Sequence, residues 1–477
     1  MHLSKTNSPD WSALIPVPSE VGPRAVALYR ALRRLIETGT LARGEKLPPS
    51  RDLARRLGIA RGAAVAAFER LAAEGFVEAR VGAGTFVAVD LPRAGRTEPA
   101  AIAVGAPAAP PLPGTLGVAM ADATTQRVFR ALLARRLARP SSAFFHYGDP
   151  RGGRALREEI AAYLKVARGV VCDAERIVVT SGTQQGLDLF LRAASRPGDR
   201  MWIEDPCYPR ALDALRGAEI EVVGVPVDRE GLDVAAGEAR APTARAALVT
   251  PSHQFPLGVT LSMRRRLALV DWARRADAFV VEDDYDSEFR WAGAPLASLQ
   301  GMDASGRVVH LGTFSKSLGP GFRVGWMVVP EPLLEKVIAV RERGDRFPAV
   351  LAEEAIADLL RQGHFARHLK RVRRKARAAR DALVAGLGAA GLPVVAPDQG
   401  LHLVVPLPET VDDTALIAPL AAAGLGARAL STTAVEPTRR RGLVIGFSGW
   451  TAEDFSAATR GIAPILADHG VVGPGGD

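Results

Sequence analysis

The lysine at position 316 is the residue of this sequence best placed for covalent chemistry. It is one of seven lysines among 61 lysines and arginines, and it follows the apolar run 308–311. A partly desolvated lysine amine can lose its proton and form a Schiff base, whereas an arginine stays protonated and is a poor nucleophile. Lys316 therefore predicts a nucleophilic amine at the end of a buried strand, with the hydroxyl of Ser315 beside it and the cation of Arg323 seven residues later.

A short polar segment elsewhere in the chain predicts an anion site. Gly182, Thr183 and Gln184 follow the predicted strand 178–180 and open the next helix. Backbone N–H groups at the start of a helix attract phosphate groups. This pattern is weak when taken alone, and it gains weight only beside the other signals.

Two further strands are followed by side chains that suit a planar, charged ligand. Asp283 comes after the run 279–281, and a carboxylate buried at a strand end needs a partner. A protonated pyridine nitrogen, as in sites for pyridoxal phosphate, would be one partner, and Mg²⁺ would be another. Tyr208 would either cover the face of a planar ligand or belong to the core.

These residues fall in a region where short β-branched runs alternate with amphipathic helices. The predicted strands lie at 176–180, 200–204, 246–250, 278–282 and 307–311. Alternation of this kind favours an α/β fold with a largely parallel sheet. It accounts for residues 118–470, and a loose tail is expected at 471–477.

The N-terminal part of the chain has a different organisation. After a polar arm at 1–20, residues 21–90 predict three helices. The first is at 25–38, and the second runs from Ser50 as N-cap to Gly58. The third is at 61–74, with Val65, Phe68 and Leu71 on one face. A glycine-containing hairpin follows, which completes a winged helix-turn-helix. Residues 24–90 hold twelve Arg and Lys against seven Asp and Glu, a basic balance that suits nucleic acid but also fits a general arginine bias of this chain.

The N-terminal unit resembles the GntR class of bacterial repressors. The similarity lies in Lys46-Leu47-Pro48-Pro49-Ser50-Arg51, the turn before Arg61 and the Gly-x-Gly-Thr wing. It implies that Arg51 and Arg61, and more weakly Arg55, contact phosphates or base edges of double-stranded DNA. The wing glycines Gly82 and Gly84 would approach the minor groove. Ala63 departs from the family, which usually has a hydroxyl there, and a bundle with solvated arginines is the alternative.

The large region resembles fold-type I aminotransferases, which use pyridoxal phosphate, over about 350 residues. The resemblance implies that Lys316 forms the internal aldimine, that Asp283 pairs with the pyridine nitrogen and that Tyr285 bonds the ring hydroxyl. Tyr208 would stack on the ring. The phosphate would be held by Gly182, Thr183, Gln184, Ser315 and Arg323, and by Tyr147 of a neighbouring subunit, which implies a homodimer.

Two departures from the aminotransferase pattern concern function. The usual Asn-Pro-Thr-Gly is replaced by a segment containing His253, Gln254 and Phe255, so either of the first two would supply the missing hydrogen bond, although His253 could equally be a core residue. Val444 stands where an arginine for the substrate carboxylate is expected, and Arg428 is the candidate substitute. The basic run 364–380 is interpreted as the exposed face of a long helix, and a contact with DNA is the alternative.

Joined by a proline- and alanine-rich linker at 91–117, the two parts resemble the MocR/GabR family of transcription regulators, whose dimers are head-to-tail. The family implies that an amino compound, or pyridoxal phosphate itself, is sensed through an aldimine at Lys316 and alters operator binding. The alternatives are a working aminotransferase with a DNA-binding appendage and a cofactor-free interaction scaffold. Whether the chain is an enzyme stays open, with regulation favoured because of Val444.

The composition of the chain excludes several other classes of protein. Apolar residues make up 48% of the chain, which excludes a disordered protein, and no stretch has the length and apolar character of a membrane span. No secretory signal is expected in the first twenty residues, which have no cleavable apolar core. Cys172 and Cys207 are too few for a disulfide framework and lack metal-ligand spacing. We therefore expect a cytoplasmic protein without a metal.

Overall fold

The computed structural model describes residues 24–91, 110–120, 122–140, 142–293, 296–392 and 394–471. The predicted arm at 1–20, most of the predicted linker and nearly all of the tail lie outside these residues. The chain divides into two compact units, Met1–Ala108 and Ala109–Asp477, which are described separately. The domain boundaries expected from composition remain predictions.

The first unit is the predicted winged helix-turn-helix. Its elements are α1 Arg24–Glu37, α2 Ser50–Leu57, α3 Arg61–Ala73 and the antiparallel pair β1 Val77–Arg80 and β2 Gly84–Val87. Apolar side chains from all three helices form one core, with Leu28, Leu32, Leu53 and Leu71 almost fully buried. Helix α3 buries Phe68 and Leu71 in this core as predicted, whereas Val65 is only half-buried.

The ends of helix α2 show one correct and one wrong prediction. Gly58 ends the helix in the left-handed conformation, with φ of 63°, as expected for a glycine C-cap. Ser50 is not the N-cap, because the helix already begins there and Pro49 holds the N-cap position in an extended conformation without a side-chain cap. Proline fixes φ near the value required just before a helix, so it sets the start one residue earlier than the hydroxyl pattern indicated.

The second unit contains the predicted, mostly parallel sheet. In chain order its strands are β3 Ile177–Thr180, β4 Arg200–Asp205, β5 Glu221–Asp228, β6 Gly231–Leu232, β7 Ala246–Val249, β8 Phe279–Asp284, β9 Val308–Thr313 and β10 Gly325–Val328. Their order across the sheet is β3-β10-β9-β8-β7-β4-β5-β6. Strands β10 and β6 run antiparallel to their neighbours, and the others run parallel to one another.

Helices cover both faces of this sheet, because successive side chains of a strand point to opposite faces. Met201 and Val281 pack in one core with Leu187 and Val337, whereas Trp202 packs on the opposite face in another core. The helices in this part of the chain are α4 Ala123–Ala138, α5 Arg154–Arg168, α6 Thr183–Ala194, α7 Pro209–Gly217, α8 Val234–Arg240, α9 Met263–Arg275, α10 Glu331–Gly344 and α11 Val350–Arg361.

A long helix leads from the large sheet to a small α+β subdomain. This helix is α12 His364–Ala389, with 26 residues. The subdomain has a three-stranded antiparallel sheet in the order β11-β13-β12, with β11 His402–Leu407, β12 Arg428–Ala429 and β13 Arg441–Gly446. Helices α13 Ile417–Ala422, α14 Ala452–Ala458 and α15 Ala463–Asp468 complete it. In the part of the chain that the structure describes, none of the helices combines the length and the apolar character needed to cross a membrane.

Residues 112–118, here called the strap, differ from the expected linker. The backbone N–H groups of Gly426 and Gly446 donate hydrogen bonds to the carbonyls of Pro113 and Gly114, at 2.6 and 2.8 Å. A Cβ atom at Gly114 would lie 1.9 Å from the carbonyl oxygen of Gly426, so the two backbones are in close contact. Close contact between two glycine backbones leaves no periodic pattern of apolar residues in the sequence. The sequence therefore did not reveal that the end of the linker is docked.

Candidate functional site

A cavity of about 300 Å³ lies at the ends of several strands of the large sheet. It is lined by residues from the sheet, from the strap and from the small subdomain. Ten of the residues singled out in the sequence line it together: Gly182, Thr183, Gln184, Tyr208, Asp283, Tyr285, Ser315, Lys316, Arg323 and Arg428. Segments that are far apart in the chain thus converge on one space.

Lys316 lies just after strand β9 and faces this cavity. Burial lowers the pKa of its amine from the ordinary value, and the nearby carboxyls of Asp286 and Asp283 oppose that shift without cancelling it. Burial disfavours the charged ammonium, so a larger share of the amine is neutral at a given pH. The site therefore favours the nucleophilic form of this lysine.

The carboxyl group of Asp283 is an acceptor in need of a partner. Burial, assisted by the charge of Asp284, raises its pKa to about 7. Its Oδ1 atom is buried and has no hydrogen-bond partner among the described residues. Buried polar atoms are nearly always satisfied, so this oxygen points to a ligand with an N–H donor. A protonated pyridine nitrogen is such a donor, and the site therefore fits pyridoxal phosphate.

The start of helix α6 and the loop after β9 form a cradle for an anion. Gly182 precedes the helix with φ of 117°, and a Cβ atom there would lie 3.7 Å from Arg323 Nη1, 3.7 Å from Thr313 Oγ1 and 3.9 Å from Ser315 Oγ. The Arg323 guanidinium forms no ion pair or hydrogen bond within the described part of the chain. A free cation, two hydroxyls and a helix N-terminus suit a phosphate group. Thr313 was not singled out in the sequence.

The side chains of Thr183 and Gln184 play different structural parts in this cradle. Thr183 is the first residue of helix α6 and lines the cavity. The side-chain amide of Gln184 donates to the backbone carbonyl of Arg210 at 3.0 Å. In this arrangement the Gln184 amide bridges two helices, and its predicted contact with a phosphate would come from its backbone.

A buried hydrogen-bond network holds Tyr285 at the edge of the cavity. The Tyr285 hydroxyl donates to the backbone carbonyl of His253 at 3.1 Å, and His253 Nδ1 lies 2.9 Å from the carboxylate of Asp286. Burial, together with the charge of Asp286, raises the pKa of Tyr285 well above its usual value. His253 is thus behind the cavity wall, as a buried residue that positions Tyr285.

His402 completes this network and was missed in the sequence. Its ring packs 4.6 Å from that of His253, and its Nε2 lies 2.9 Å from the carbonyl oxygen of Pro256. Burial lowers the pKa of His402 to about 3, so it stays neutral. His253, Asp286 and His402 come within 4.8 Å of one another, but each histidine already has one nitrogen engaged with a protein acceptor. Hydrogen bonds account for Nδ1 of His253 and Nε2 of His402, whereas the buried Nε2 of His253 has no partner among the described residues.

Tyr208 and the strap form two further parts of the cavity wall. The Tyr208 ring is 40% exposed and meets the ring of Phe255 edge to face at a centroid distance of 5.4 Å. Leu116 and Gly117 of the strap also line the cavity. A Cβ atom at Gly117 would lie 3.0 Å from Lys316 Nζ, so the strap passes directly beside the amine. Nothing in the linker-like composition of this segment indicated such a contact.

Arg428 lies on the strand next to the one where an arginine was expected. In the register of β12 and β13, Arg428 pairs directly with Val444. Val444 is fully buried and belongs to the core, whereas Arg428 is exposed and lines the cavity. With Arg323 in the phosphate cradle and Lys316 as the amine, Arg428 is the remaining cation among the described lining residues.

Tyr147 does not lie in the cavity of its own chain. Its ring is 70% exposed, and the guanidinium of Arg346 lies over it at 3.8 Å from the centroid. Phe145, two residues earlier, is 75% exposed. The predicted contact of Tyr147 with the phosphate of a second subunit stays a prediction.

The residues predicted to bind DNA lie on the surface of the first unit. Arg51 and Arg61 are exposed in the first turns of helices α2 and α3. Arg55 forms an ion pair with Asp52 at 2.6 Å, which reduces its value as a DNA ligand. Gly82 and Gly84, with φ of 75° and 112°, lie in the wing, where only glycine is unstrained.

The wing also presents two cations that the sequence interpretation passed over. The Lys46 amine and the Arg80 guanidinium lie over the ring of Phe86, at 5.7 and 4.7 Å from its centroid. Both contacts place a positively charged group on the hairpin, near Gly82 and Gly84. Arg80 also forms an ion pair with Glu78 at 3.7 Å, so Lys46 is the stronger of the two added candidates for contact with DNA.

These features define a two-part class of protein, in which a winged-helix DNA-binding unit precedes a fold-type I domain for pyridoxal phosphate. Residues 24–87 match the gntR family of bacterial regulatory proteins, and residues 118–444 match the aminotransferase class I and II family. Solved structures agree: an archaeal alanine:glyoxylate aminotransferase has a TM-score of 0.70 at 25% identity, covering 75% of this chain and 91% of its own. The kynurenine aminotransferase of Pyrococcus horikoshii has a TM-score of 0.67 at 26% identity, covering 75% and 89%.

Relatives that contain both parts identify the family. The "Probable rhizopine catabolism regulatory protein MocR" of Rhizobium meliloti is 34% identical over 88% of this chain and 89% of its own length. The pyridoxine biosynthesis transcriptional regulator PdxR of Corynebacterium glutamicum is 33% identical over 90% and 93%. The chain belongs to the MocR-type family of GntR transcription regulators, which are DNA-binding proteins with a pyridoxal phosphate domain.

Proposed function

We propose that this regulator senses a small amino compound, or pyridoxal phosphate itself, at Lys316, and that the occupied site changes the affinity of the winged helices for an operator. The observation that carries the proposal is the convergence of a half-buried amine, a buried carboxyl oxygen without a protein partner and an anion cradle in one cavity. That combination is specific for the three polar parts of the cofactor.

The residues of the chain divide the work of this site. Pyridoxal phosphate, when bound, supplies an aldehyde that reacts reversibly with primary amines. Lys316 offers its neutral amine as the protein's attachment point, since burial lowers the pKa. With the cofactor bound, Asp283 would accept a hydrogen bond from the ring nitrogen, and Arg323 with the start of helix α6 would neutralise the phosphate. Tyr285, which is hydrogen-bonded to His253, would orient the ring through its hydroxyl.

Arg428 restricts the chemistry of the effector. An anionic group on the effector needs a cation, and Arg428 is the lining cation that the cofactor leaves free. His402 lines the same wall but stays neutral, because burial lowers its pKa to about 3. An amino compound with one carboxylate or a similar anionic group therefore suits the site better than a diacid.

The strap supplies a route from this cavity toward the DNA-binding unit. Leu116 and Gly117 touch the space where the effector would lie, and the chain runs from them back into the linker. A neighbouring cavity of about 360 Å³ is lined by residues 110–112 and shares Leu116 and Arg428 with the first one, so the strap lies between two open spaces. Coupling requires that the effector bind the two strap positions with different affinity.

A homodimer is part of this proposal. Tyr147 and Phe145 are largely exposed apolar or aromatic side chains on one short segment, which is unusual for a surface without a partner. A second copy would bury them and bring Tyr147 to the phosphate of its neighbour, as the family resemblance implies. The expected cytoplasmic location also belongs to the proposal, since the operator is DNA.

A working aminotransferase is the second candidate function. Arg428 favours it, since a cation in the cavity compensates for the absence of an arginine at Val444. Such an enzyme would transfer amino groups to 2-oxo acids continuously, whereas a sensor needs only reversible attachment. Sustained transfer of amino groups by the purified protein at ordinary enzyme rates would show that catalysis, and not sensing, is the main activity of the site.

Replacement of Lys316 tests the proposed sensor directly. We expect Lys316→Ala to abolish the visible absorption of the lysine-bound cofactor and the effect of amino monocarboxylates on operator affinity, while operator affinity without them is retained. The measurement is fluorescence anisotropy with an operator selected from random duplexes by the full-length protein. Lys336→Ala, at an exposed lysine of helix α10, is the control. A response that survives in Lys316→Ala would rule out sensing at this residue.

A further inference from the structure

Helix α12 carries a row of unneutralised cations on its solvent face. Between residues 359 and 380 the chain has no aspartate or glutamate. Residues three and four apart lie on the same face of a helix. The exposed members of this row, here called the basic stripe, are Arg367, Lys370, Arg374 and Arg377.

Two other cations of this helix form ion pairs, whereas those of the basic stripe form none with the described residues. Arg371 pairs with Asp122 at 2.7 Å, and Arg380 pairs with Asp381 at 2.6 Å. In the basic stripe, Arg367 contacts only neutral acceptors, the carbonyl of Gln362 and a ring nitrogen of His364. Lys370, Arg374 and Arg377 have no ion pair or hydrogen bond with any described residue.

Such a stripe destabilises its own helix, because like charges three and four residues apart repel each other. Elsewhere on this protein exposed arginines are mixed with acids at that spacing, as in Arg192 with Asp188 and Arg275 with Asp271. Helix α12 lacks this compensation over five turns. Its charge therefore matches an external anion rather than a partner on its own surface.

The helix next to it strengthens the field. Helix α4 contacts α12, where Arg371 and His368 bond to Asp122 and Thr125. The same helix presents Arg127 and Arg130, which are exposed and without partners among the described residues. Cations without a partner are thus present on the neighbouring helix as well.

We infer that the basic stripe is a second DNA contact, which binds the phosphate backbone of the duplex flanking the operator. The inference rests on DNA binding by the winged helix, which makes duplex DNA a partner of this chain. The stripe spans about 15 Å, from ten residues at the helical rise. A duplex carries about one negative charge per 1.7 Å of its axis, so this length faces several phosphates. The contact has no base readout and adds affinity without sequence specificity.

The test compares two duplexes with the same selected operator, one short and one extended by flanking DNA. We expect Lys370→Gln/Arg374→Gln/Arg377→Gln to weaken binding to the extended duplex at least tenfold more than to the short one. The slope of log K against log salt should fall by about 0.9 for each lost phosphate contact, and on the extended duplex only. Lys165→Gln/Arg216→Gln/Lys336→Gln removes three exposed cations of the same unit and is the matched control.

Three outcomes overturn the inference. Equal losses in the stripe variant and the control would mean that only overall charge matters, and equal losses on both duplexes would deny a flanking contact. A change in dimer formation by light scattering would assign the stripe to contact between copies. Arg61→Ala, measured in parallel, should weaken both duplexes alike. If it does not, docking of the winged helix is wrong while the stripe contact stands on its own result.

Discussion

At the scale of single residues, the buried carboxyl of Asp283 couples stability to cofactor binding. Its pKa is raised from 3.8 to about 7 by burial and by Asp284. Between those pH values the folded cofactor-free protein keeps a proton that the unfolded chain has released. Folding stability therefore falls as the pH rises through this interval, and the loss is complete above it. A hydrogen-bond donor on a bound ligand would offset the free-energy cost of burying the negative charge of Asp283.

Asp283→Asn should reverse this balance. At pH 8 we expect the cofactor-free variant to be more stable than the parent protein by on the order of 4 kcal/mol, because no charge is buried. At pH 4 the difference should vanish. Pyridoxal phosphate affinity should fall at least tenfold, since the amide does not neutralise a pyridinium.

Thermal unfolding of the large unit at the two pH values and a cofactor titration measure these effects. Glu204, Glu288 and Glu353 also have pKa values raised to about 7, so the difference between variant and parent is the informative quantity. An unchanged difference between pH 4 and pH 8 would show that Asp283 is not the titrating group.

The sequence predicted the residues that carry chemistry better than those that support them. Lys316 and Asp283 follow apolar strands, so their type and position were informative without a structure. Asp286, His402 and Thr313 were missed, because their roles depend on contacts across many residues of chain. Ser50 was assigned a capping role that Pro49 prevents, since backbone geometry at proline overrides a hydroxyl in the next position.

At the scale of elements, the strap is held by backbone contacts that a single methyl group would break. A Cβ atom at Gly114 would lie 1.9 Å from the Gly426 carbonyl oxygen, and Gly114 has φ of 101°. Gly114→Ala should therefore undock the strap and weaken the effect of amino monocarboxylates on operator affinity at least tenfold. Operator affinity without effector should be retained.

Gly198→Ala is the control for this variant. Gly198 also has a positive φ, of 84°, but a Cβ atom there meets nothing within 4 Å. Backbone strain is thus matched, and only the clash differs. A full effector response in Gly114→Ala, measured by the same anisotropy titration, would exclude the strap as the connecting element.

The fold of these elements was largely predictable, whereas the docking of the strap was not. Alternating strands and helices indicated the parallel sheet, which is confirmed by the structure and by the matched aminotransferase family. The antiparallel strand β10 and the register that puts Arg428 beside Val444 depend on pairing partners distant in the chain. Periodicity reports which face of an element is apolar, and it does not report its neighbours.

At the scale of the whole molecule, the exposed aromatic segment around Phe145 is expected to form part of a dimer. Phe145→Asp should shift the protein toward monomers and lower its affinity for pyridoxal phosphate severalfold, because Tyr147 of the partner subunit would no longer reach the site. Size-exclusion chromatography with light scattering and a cofactor titration measure the two effects.

Val166→Asp is the comparison for this variant. Val166 is 89% exposed on helix α5, so the same charge is introduced at another exposed apolar position. Dimerisation that is equally weakened by both variants would indicate a general effect of charge. A dimer that persists in Phe145→Asp would place the interface elsewhere.

The docking of the strap also fixes how many residues this segment can contain. Glycine contacts hold residues 112–118 in register with the small subdomain, so an insertion there would displace Leu116 and Gly117 from the cavity. The strap is therefore constrained in length as well as in composition, because a longer or shorter segment could not both dock on the subdomain and line the sensing site.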